Sequence, residues 1–167
     1  LHVAEERYGD AILTTLPMQF VKGGMLPSRS EQRGALWVEV TVGDKQVQVF
    51  NTHLGLPRRD RVQQMTTLLG PSWIGNPESE GKSQILIGDL NSIGQSAAYR
   101  QVARRMKDVQ LQTGAKARAT FPSRFPLMRL DHILVSDDIE VLDAQVIADP
   151  HARIASDHLP LMATVRL

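Results

Sequence analysis

Four short clusters in this 167-residue sequence carry side chains able to move a proton or hold a cation: Asn51-Thr52-His53, Gly88-Asp89-Leu90-Asn91, Arg129-Leu130-Asp131-His132 and Ser156-Asp157-His158. Each sits at the end of an apolar run. Strand ends hold polar groups rigidly, and ends from distant parts of a chain can meet on one rim. In Asp89-Leu90-Asn91, the alternation of an extended chain turns Asp89 and Asn91 to one side and Leu90 to the other. The carboxylate can orient water or bind a hard cation, and the amide can donate to a phosphoryl oxygen without adding negative charge. The same tetrapeptide also suits an Asx turn that only closes the strand.

Asp131 opens the apolar run Ile133-Leu134-Val135, and a carboxylate at the start of a buried strand needs a partner. An imidazole on a neighbouring strand would serve, because the carboxylate fixes its tautomer and the imidazole can then take a proton from water. Asp131 with His158 would make such a base. Taken alone, His53 also reads as a half-buried histidine closing its strand, and Asp157-His158 as a cap or turn before the strand that starts at Pro160. Other chemistries fail on specific grounds. There is no Gly-x-Ser-x-Gly elbow, and Ser156, Asp157 and His158 are sequence neighbours that cannot line up as a relay. His-Glu-x-x-His is absent, no two histidines stand at i, i+4, and there is no cysteine, so disulfides, thiolate nucleophiles and cysteine-based zinc sites are excluded. The oxygen-rich set suits Mg²⁺, Mn²⁺ or Ca²⁺ held by carboxylates and water.

The elements that must position these groups read mainly as strands. Residues 11–15 form a short β-prone run stopped by Pro17, and 23–33 have the composition of a loop. Residues 35–42 and 46–50 form a hairpin around Gly43-Asp44. The spacing of Val62, Met65, Leu68 and Leu69 predicts a helix over 60–69. The continuous run 85–87 is of the kind buried on both faces, and 95–106 is helical, with Arg100, Arg104 and Arg105 on a solvated side. A polar loop covers 113–126, and 131–135, 141–147 and 161–165 are strands. Helices fall between strands without strict alternation, which favours an α+β sandwich of packed sheets over a doubly wound parallel sheet.

Length fits one domain over residues 1–167. Hydrophobic content of 42% with 22% charged residues is ordinary for a globular protein, and no apolar run approaches the ~20 residues of a transmembrane helix. A net charge of +1 gives no footprint for non-specific nucleic-acid binding. The opening residues show neither an initiating Met nor a signal-peptide pattern, and this beginning looks like a cut; the compartment stays open.

In this order, the clusters resemble the endonuclease/exonuclease/phosphatase superfamily, the deoxyribonuclease-I-like fold. Tyr8-Gly9-Asp10-Ala11-Ile12-Leu13 is similar to its Tyr-Gly-Asn-Ala-Ile-Leu segment, followed by Asn51-Thr52-His53-Leu54, Gly88-Asp89-Leu90-Asn91, Arg129-Leu130-Asp131-His132-Ile133 and Ser156-Asp157-His158-Leu159-Pro160. The resemblance implies a four-layer α/β/β/α sandwich of two packed mixed sheets, here without its first strands. It implies His158 as general base oriented by Asp131, His53 as the second catalytic histidine, Asp89 and Asn91 as the pair positioning nucleophile, phosphate and metal, and Asp157 with Asp89 as metal ligands. The implied reaction is in-line attack of activated water on a phosphate ester, assisted by Mg²⁺ or by Mn²⁺ or Ca²⁺. Asp10 stands where the family has Asn, a change expected to alter a local hydrogen bond and not the chemistry.

The family's metal-binding Glu and an upstream Asn precede the Tyr-Gly segment and lie outside this sequence. The chain alone is therefore expected to bind metal weakly and hydrolyse slowly, and restoring the upstream segment should raise its Mg²⁺-dependent phosphodiesterase rate sharply; equal rates for the two proteins would refute this. An exposed sheet edge is expected to invite self-association or a partner. Substrates in the family range over DNA, RNA, lipid headgroups and small conjugates, so a phosphodiesterase or nuclease and a lipid or inositol phosphate hydrolase both stay open. Arg58, Arg59 and Arg124 are the candidate phosphate contacts. A non-catalytic binding domain is the reading from another class, and the six intact polar residues argue against it.

Overall fold

The computed structural model describes residues 2–3, 6–7 and 9–167; Tyr8, which begins the first family-like segment, lies outside them. A short pair, β1 (His2–Val3) and β2 (Glu6–Arg7), precedes the main elements: β3 (Met18–Leu26), β4 (Arg33–Val42), β5 (Lys45–Thr52), α1 (Arg58–Leu68), β6 (Ser83–Asp89), α2 (Ala97–Val102), β7 (Lys107–Asp108), α3 (Val109–Gln112), β8 (Asp131–Val135), β9 (Glu140–Val146), α4 (Pro150–Ala155) and β10 (Leu161–Arg166). Six strands form one mixed sheet in the order β3-β4-β5-β6-β8-β7, and β9 and β10 form a second, antiparallel pair. The α+β, deoxyribonuclease-I-like sandwich expected from the sequence is the observed fold.

Alternation decides which face each residue serves. On β4 and β5, Ala35, Trp37 and Phe50 turn toward the helices and pack with Leu54, Met65, Leu68, Trp73 and Leu86. Trp37 Nε1 donates to Gln48 Oε1 at 2.7 Å, so the polar groups of this buried face are paired. The opposite face of β6 and β8, with Ile85, Ile133 and Val135, packs on Val141, Ala144, Ala163 and Val165 of the second sheet. Helix α4 closes that side through Ala152 against Val146 and Leu159.

The hairpin turns at Gly43-Asp44 as expected, with Val42 opposite Lys45 and Gly43 at φ +63°. Residues 11–15 form no strand, whereas 23–26 belong to β3 and not to a loop. Glycine serves packing there: a Cβ on Gly24 would already touch the Trp73 ring at 3.4 Å. Helix α2 is shorter than the predicted 95–106. Its N-cap Ser96 accepts from Tyr99 N, and the chain leaves the helix at Ala103. Strand β3 pairs only with β4, and β10 only with β9, among the described residues. Phe20 and Met25 on β3 are exposed. No helix among the described residues is long and apolar enough to cross a membrane.

Topology places the clusters together. Strands β5 and β6 are parallel, so His53 after one and Asp89 at the tip of the other leave the sheet at the same edge. Strand β8 runs antiparallel to β6 with Asp89 opposite Asp131, which brings the start of β8 to that edge.

Candidate active site

Asp89 Oδ2 lies between two imidazoles, 3.2 Å from His53 Nε2 and 3.9 Å from His158 Nε2. His158 Nδ1 is 2.8 Å from Asp131 Oδ2. The Asp131 carboxylate thereby fixes the ring with Nδ1–H donating, which leaves Nε2 facing Asp89 with its lone pair available. The ring of Phe121 packs on His158 with centroids 4.7 Å apart. These groups line one open cavity of about 710 Å³ that also includes Arg33, Arg61, Asn91 and Asp157.

Burial pushes the Asp89 carboxyl up, but the hydrogen bond from His53, the backbone N–H of Asn91 and the charges of both histidines outweigh it. The group stands below its ordinary value. Burial pulls His158 down, and the Asp131 hydrogen bond with the charges of Asp131, Asp89 and Asp157 overcomes that, so its imidazole stands above the ordinary value. Asp10 differs: its burial outweighs the attraction of His53 and Arg33, and its carboxyl is raised. An NMR titration of the metal-free chain should give His158 a midpoint above that of a free imidazole, about 6.5, and Asp131→Asn should lower it. A midpoint indifferent to that substitution would show that the pair does not couple.

Asn91 departs from the expected alternation. Strand β6 ends at Asp89, and Asn91 adopts φ +46° with its N–H donating to Asp89 Oδ1 at 2.7 Å. The Asx turn is therefore present, and Asp89 holds it while facing both histidines. The Asn91 amide reaches the cavity but donates to Leu54 O at 2.8 Å, tying the turn to the end of β5.

Of the candidate arginines, Arg58 borders a neighbouring groove with Ile93 and Arg100, while Arg59 and Arg124 are exposed and line none of the cavities around the site. Arg33 and Arg61 take the place beside the histidines. Arg33 pairs with Glu31 at 2.6 Å, and its Nε is buried without a partner. Arg61 donates to Leu56 O. Asp157 lies at the cavity rim, outside the group formed by Asp89, Asp131 and His158, whose potential ligand atoms fall within 4.8 Å of one another. Asp10 also lies close enough to His53 for the histidine's charge to act on its carboxyl.

Behind Asp131, the next residue of β8 points the other way into a buried polar network. His132 Nδ1 is 3.1 Å from Asp108 Oδ2, and its Nε2 is 2.7 Å from Ser92 O. Arg129 Nη1 and Tyr99 Oη donate to the same Asp108 oxygen at 2.7 and 2.8 Å. Asp108 thus joins α2, β8 and the turn after Asp89. Burial raises its carboxyl, but the bonds and charges of His132, Arg129 and Tyr99 prevail, and it stands below its ordinary value. A depressed folded-state pKa adds stability that is fully present above the unfolded value of about 3.9 and is lost as pH falls through the folded value. Melting curves below about pH 4 should therefore lose stability in the wild type and change less in Asp108→Asn. At neutral pH, Asp108→Ala should cost roughly 3–5 kcal/mol by leaving Arg129 and His132 without their anion.

The sequence profile described as the Endonuclease/Exonuclease/phosphatase family matches residues 1–158. Among curated proteins, the Uncharacterized protein YbhP of Escherichia coli is 28% identical over 98% of this chain. The chain spans 64% of the length of that relative. Among solved structures, the mannosyl-6-phosphatase Bt3783 of Bacteroides thetaiotaomicron superposes with a TM-score of 0.73 at 21% identity, covering 90% of this chain and 67% of that one. D. rerio TDP2 complexed with single strand DNA product gives 0.70 at 19% identity, covering 90% and 69%.

Proposed function

Since the chain belongs to the endonuclease/exonuclease/phosphatase family, we propose that it carries most of the active site of a divalent-metal-dependent phosphoric ester hydrolase of the phosphodiesterase or nuclease type. The observation that supports this most is the convergence of His53, Asp89, Asp131 and His158 from four separated stretches of sequence: His53 Nε2 stands 3.2 Å and His158 Nε2 3.9 Å from Asp89 Oδ2, and His158 Nδ1 is 2.8 Å from Asp131. His158 Nε2 takes the proton of the attacking water while Asp131 holds the ring and stabilises the imidazolium. His53 donates to the phosphoryl group or the leaving oxygen, and its contact with Asp89 orients it. Asp89 and Asn91 position the phosphate, and Arg33 and Arg61 add positive charge at the same cavity.

The donor set fits a hard cation, because carboxylate oxygens dominate it. Asp89, with Asp157 at the rim, would hold Mg²⁺, or Mn²⁺ or Ca²⁺ in its place. When bound, such an ion supplies neutralisation of the charge that develops on the phosphoryl oxygens. One or two carboxylates, with waters and substrate oxygens completing the shell, is the usual way such sites hold Mg²⁺. Self-association through the edges of β3 and β10 that pair with no further strand among the described residues is a further proposal, checked by light scattering of the purified chain.

Bis(p-nitrophenyl) phosphate, plasmid DNA and soluble phospholipid headgroups, each assayed with Mg²⁺ and with EDTA, test the hydrolase. Release of product that EDTA abolishes is expected for at least one of them. Hydrolysis of none would favour a binding domain that has kept the fold.

A further inference from the structure

The cavity has an apolar rim that the chemistry above does not use. Residues 121–128 form a loop that closes on itself: Leu127 N and Met128 N both donate to Phe121 O at 2.8 Å. Its base is part of the site, since Phe121 and Met128 line the cavity and Phe121 packs on His158. The loop is also tied down from outside. Ser123 N donates to Asp157 O at 2.7 Å, and Arg153 Nη1 donates to Ser123 O at 2.7 Å and to Arg124 O at 3.1 Å. From this anchored backbone Phe125 and Leu127 stand 79% and 82% exposed. Leu56, which lines the same cavity, is 69% exposed, and Ile154, on the helix whose Arg153 anchors the loop, is 80% exposed. Large apolar side chains held outward on fixed backbone beside a polar cavity mark a contact surface.

The charges around these residues indicate the partner. Arg124 precedes Phe125 at the loop tip, and the exposed Arg58 and Arg59 follow Leu56 by two and three residues. The three arginines that the sequence suggested as phosphate contacts thus lie outside the cavity: Arg124 is on the loop itself, Arg58 borders a groove that shares Arg61 with the cavity, and the exposed Arg59 follows it at the start of α1. Apolar tips interleaved with cations fit an anionic lipid surface, where hydrocarbon side chains enter the headgroup boundary and arginines meet phosphates. Single-stranded nucleic acid would need stacking platforms, and of Leu56, Phe125, Leu127 and Ile154 only Phe125 has a ring.

We propose that the rim formed by Leu56, Phe125 and Leu127 with Arg58, Arg59 and Arg124 docks the protein on an anionic lipid surface, presenting a headgroup phosphate ester to the cavity. The headgroup part of this inference rests on the hydrolase reading; the docking part does not.

Flotation of the chain with vesicles of phosphatidylcholine alone, and of an equimolar mixture with phosphatidylglycerol, tests it. Binding to the mixed vesicles is expected, with binding to the neutral ones at least about tenfold weaker. The double variant F125D/L127D should lose about tenfold or more of the binding, with an unchanged circular dichroism spectrum and an unchanged rate on bis(p-nitrophenyl) phosphate. No binding by the wild type, equal binding by the double variant, or loop-dependent retention of single-stranded DNA in place of vesicles would each overturn the docking surface. Hydrolysis of the soluble diester without vesicle binding would sink this inference and leave the hydrolase standing. Loop-dependent vesicle binding without any hydrolysis would do the reverse.

Discussion

His158→Ala is expected to slow phosphodiester hydrolysis by roughly 10²–10⁴-fold, the usual contribution of a positioned general base, with little change in melting temperature. The ring is only partly buried and its strongest bond is to Asp131, so its removal takes away chemistry more than packing. The loss should fall on kcat, because Nε2 interacts with a proton that moves only as the water attacks. Asp131→Ala should lose less than His158→Ala, and the double variant should be no slower than His158→Ala alone, since the carboxylate acts through the ring. Single-turnover and steady-state rates on bis(p-nitrophenyl) phosphate measure all three. Additive losses would mean that Asp131 has a separate task.

The second large effect is on the fold. Gly88→Ala should destabilise the protein by about 2–6 kcal/mol, combining left-handed backbone strain with overpacking. Gly88 has φ +139°, and a Cβ there would lie 1.9 Å from Thr52 O and 3.2 Å from Asn51 Oδ1. Backbone oxygen of the neighbouring strand cannot step aside as a flexible side chain would. Because Leu54 N donates to Asp89 O at 2.9 Å just beyond this contact, any accommodation moves His53 away from Asp89. Chemical denaturation should show the loss, and such a change is a large part of a typical domain's 5–15 kcal/mol. A stable, fully active Gly88→Ala protein would mean that β5 and β6 do not approach as described.

The strand-end clusters were legible because polar residues interrupt apolar runs, and alternation with turn chemistry located most strands of the large sheet. What escaped depends on pairing between distant segments. Arg33 has no local signal for the site: it reaches His53 because β4 and β5 pair with Ala35 opposite Thr52. Arg61 is the fourth residue of α1, on the same face as Arg58; both border the neighbouring groove, and only Arg61, one turn further on, also lines the cavity. Asn91 was placed by extending alternation past the strand's end, where the left-handed turn breaks it. Two further features carry local signals of their own. Asp149-Pro150 is a helix start with a capping carboxylate, and Asp149 Oδ1 does accept from Ala152 N at 2.8 Å. The buried group around Asp108 could be suspected from an Asp beside an apolar run, but its partners Tyr99, Arg129 and His132 are unrelated in sequence to that position.

Paramagnetic broadening by Mn²⁺ tests most directly whether these strand ends form one cation-binding phosphoryl site. With substoichiometric Mn²⁺, the imidazole resonances of His53 and His158 should broaden together and before that of the exposed His151, and Asp89→Ala should abolish the selectivity. Broadening centred elsewhere, with the His53 and His158 signals left sharp, would contradict the account.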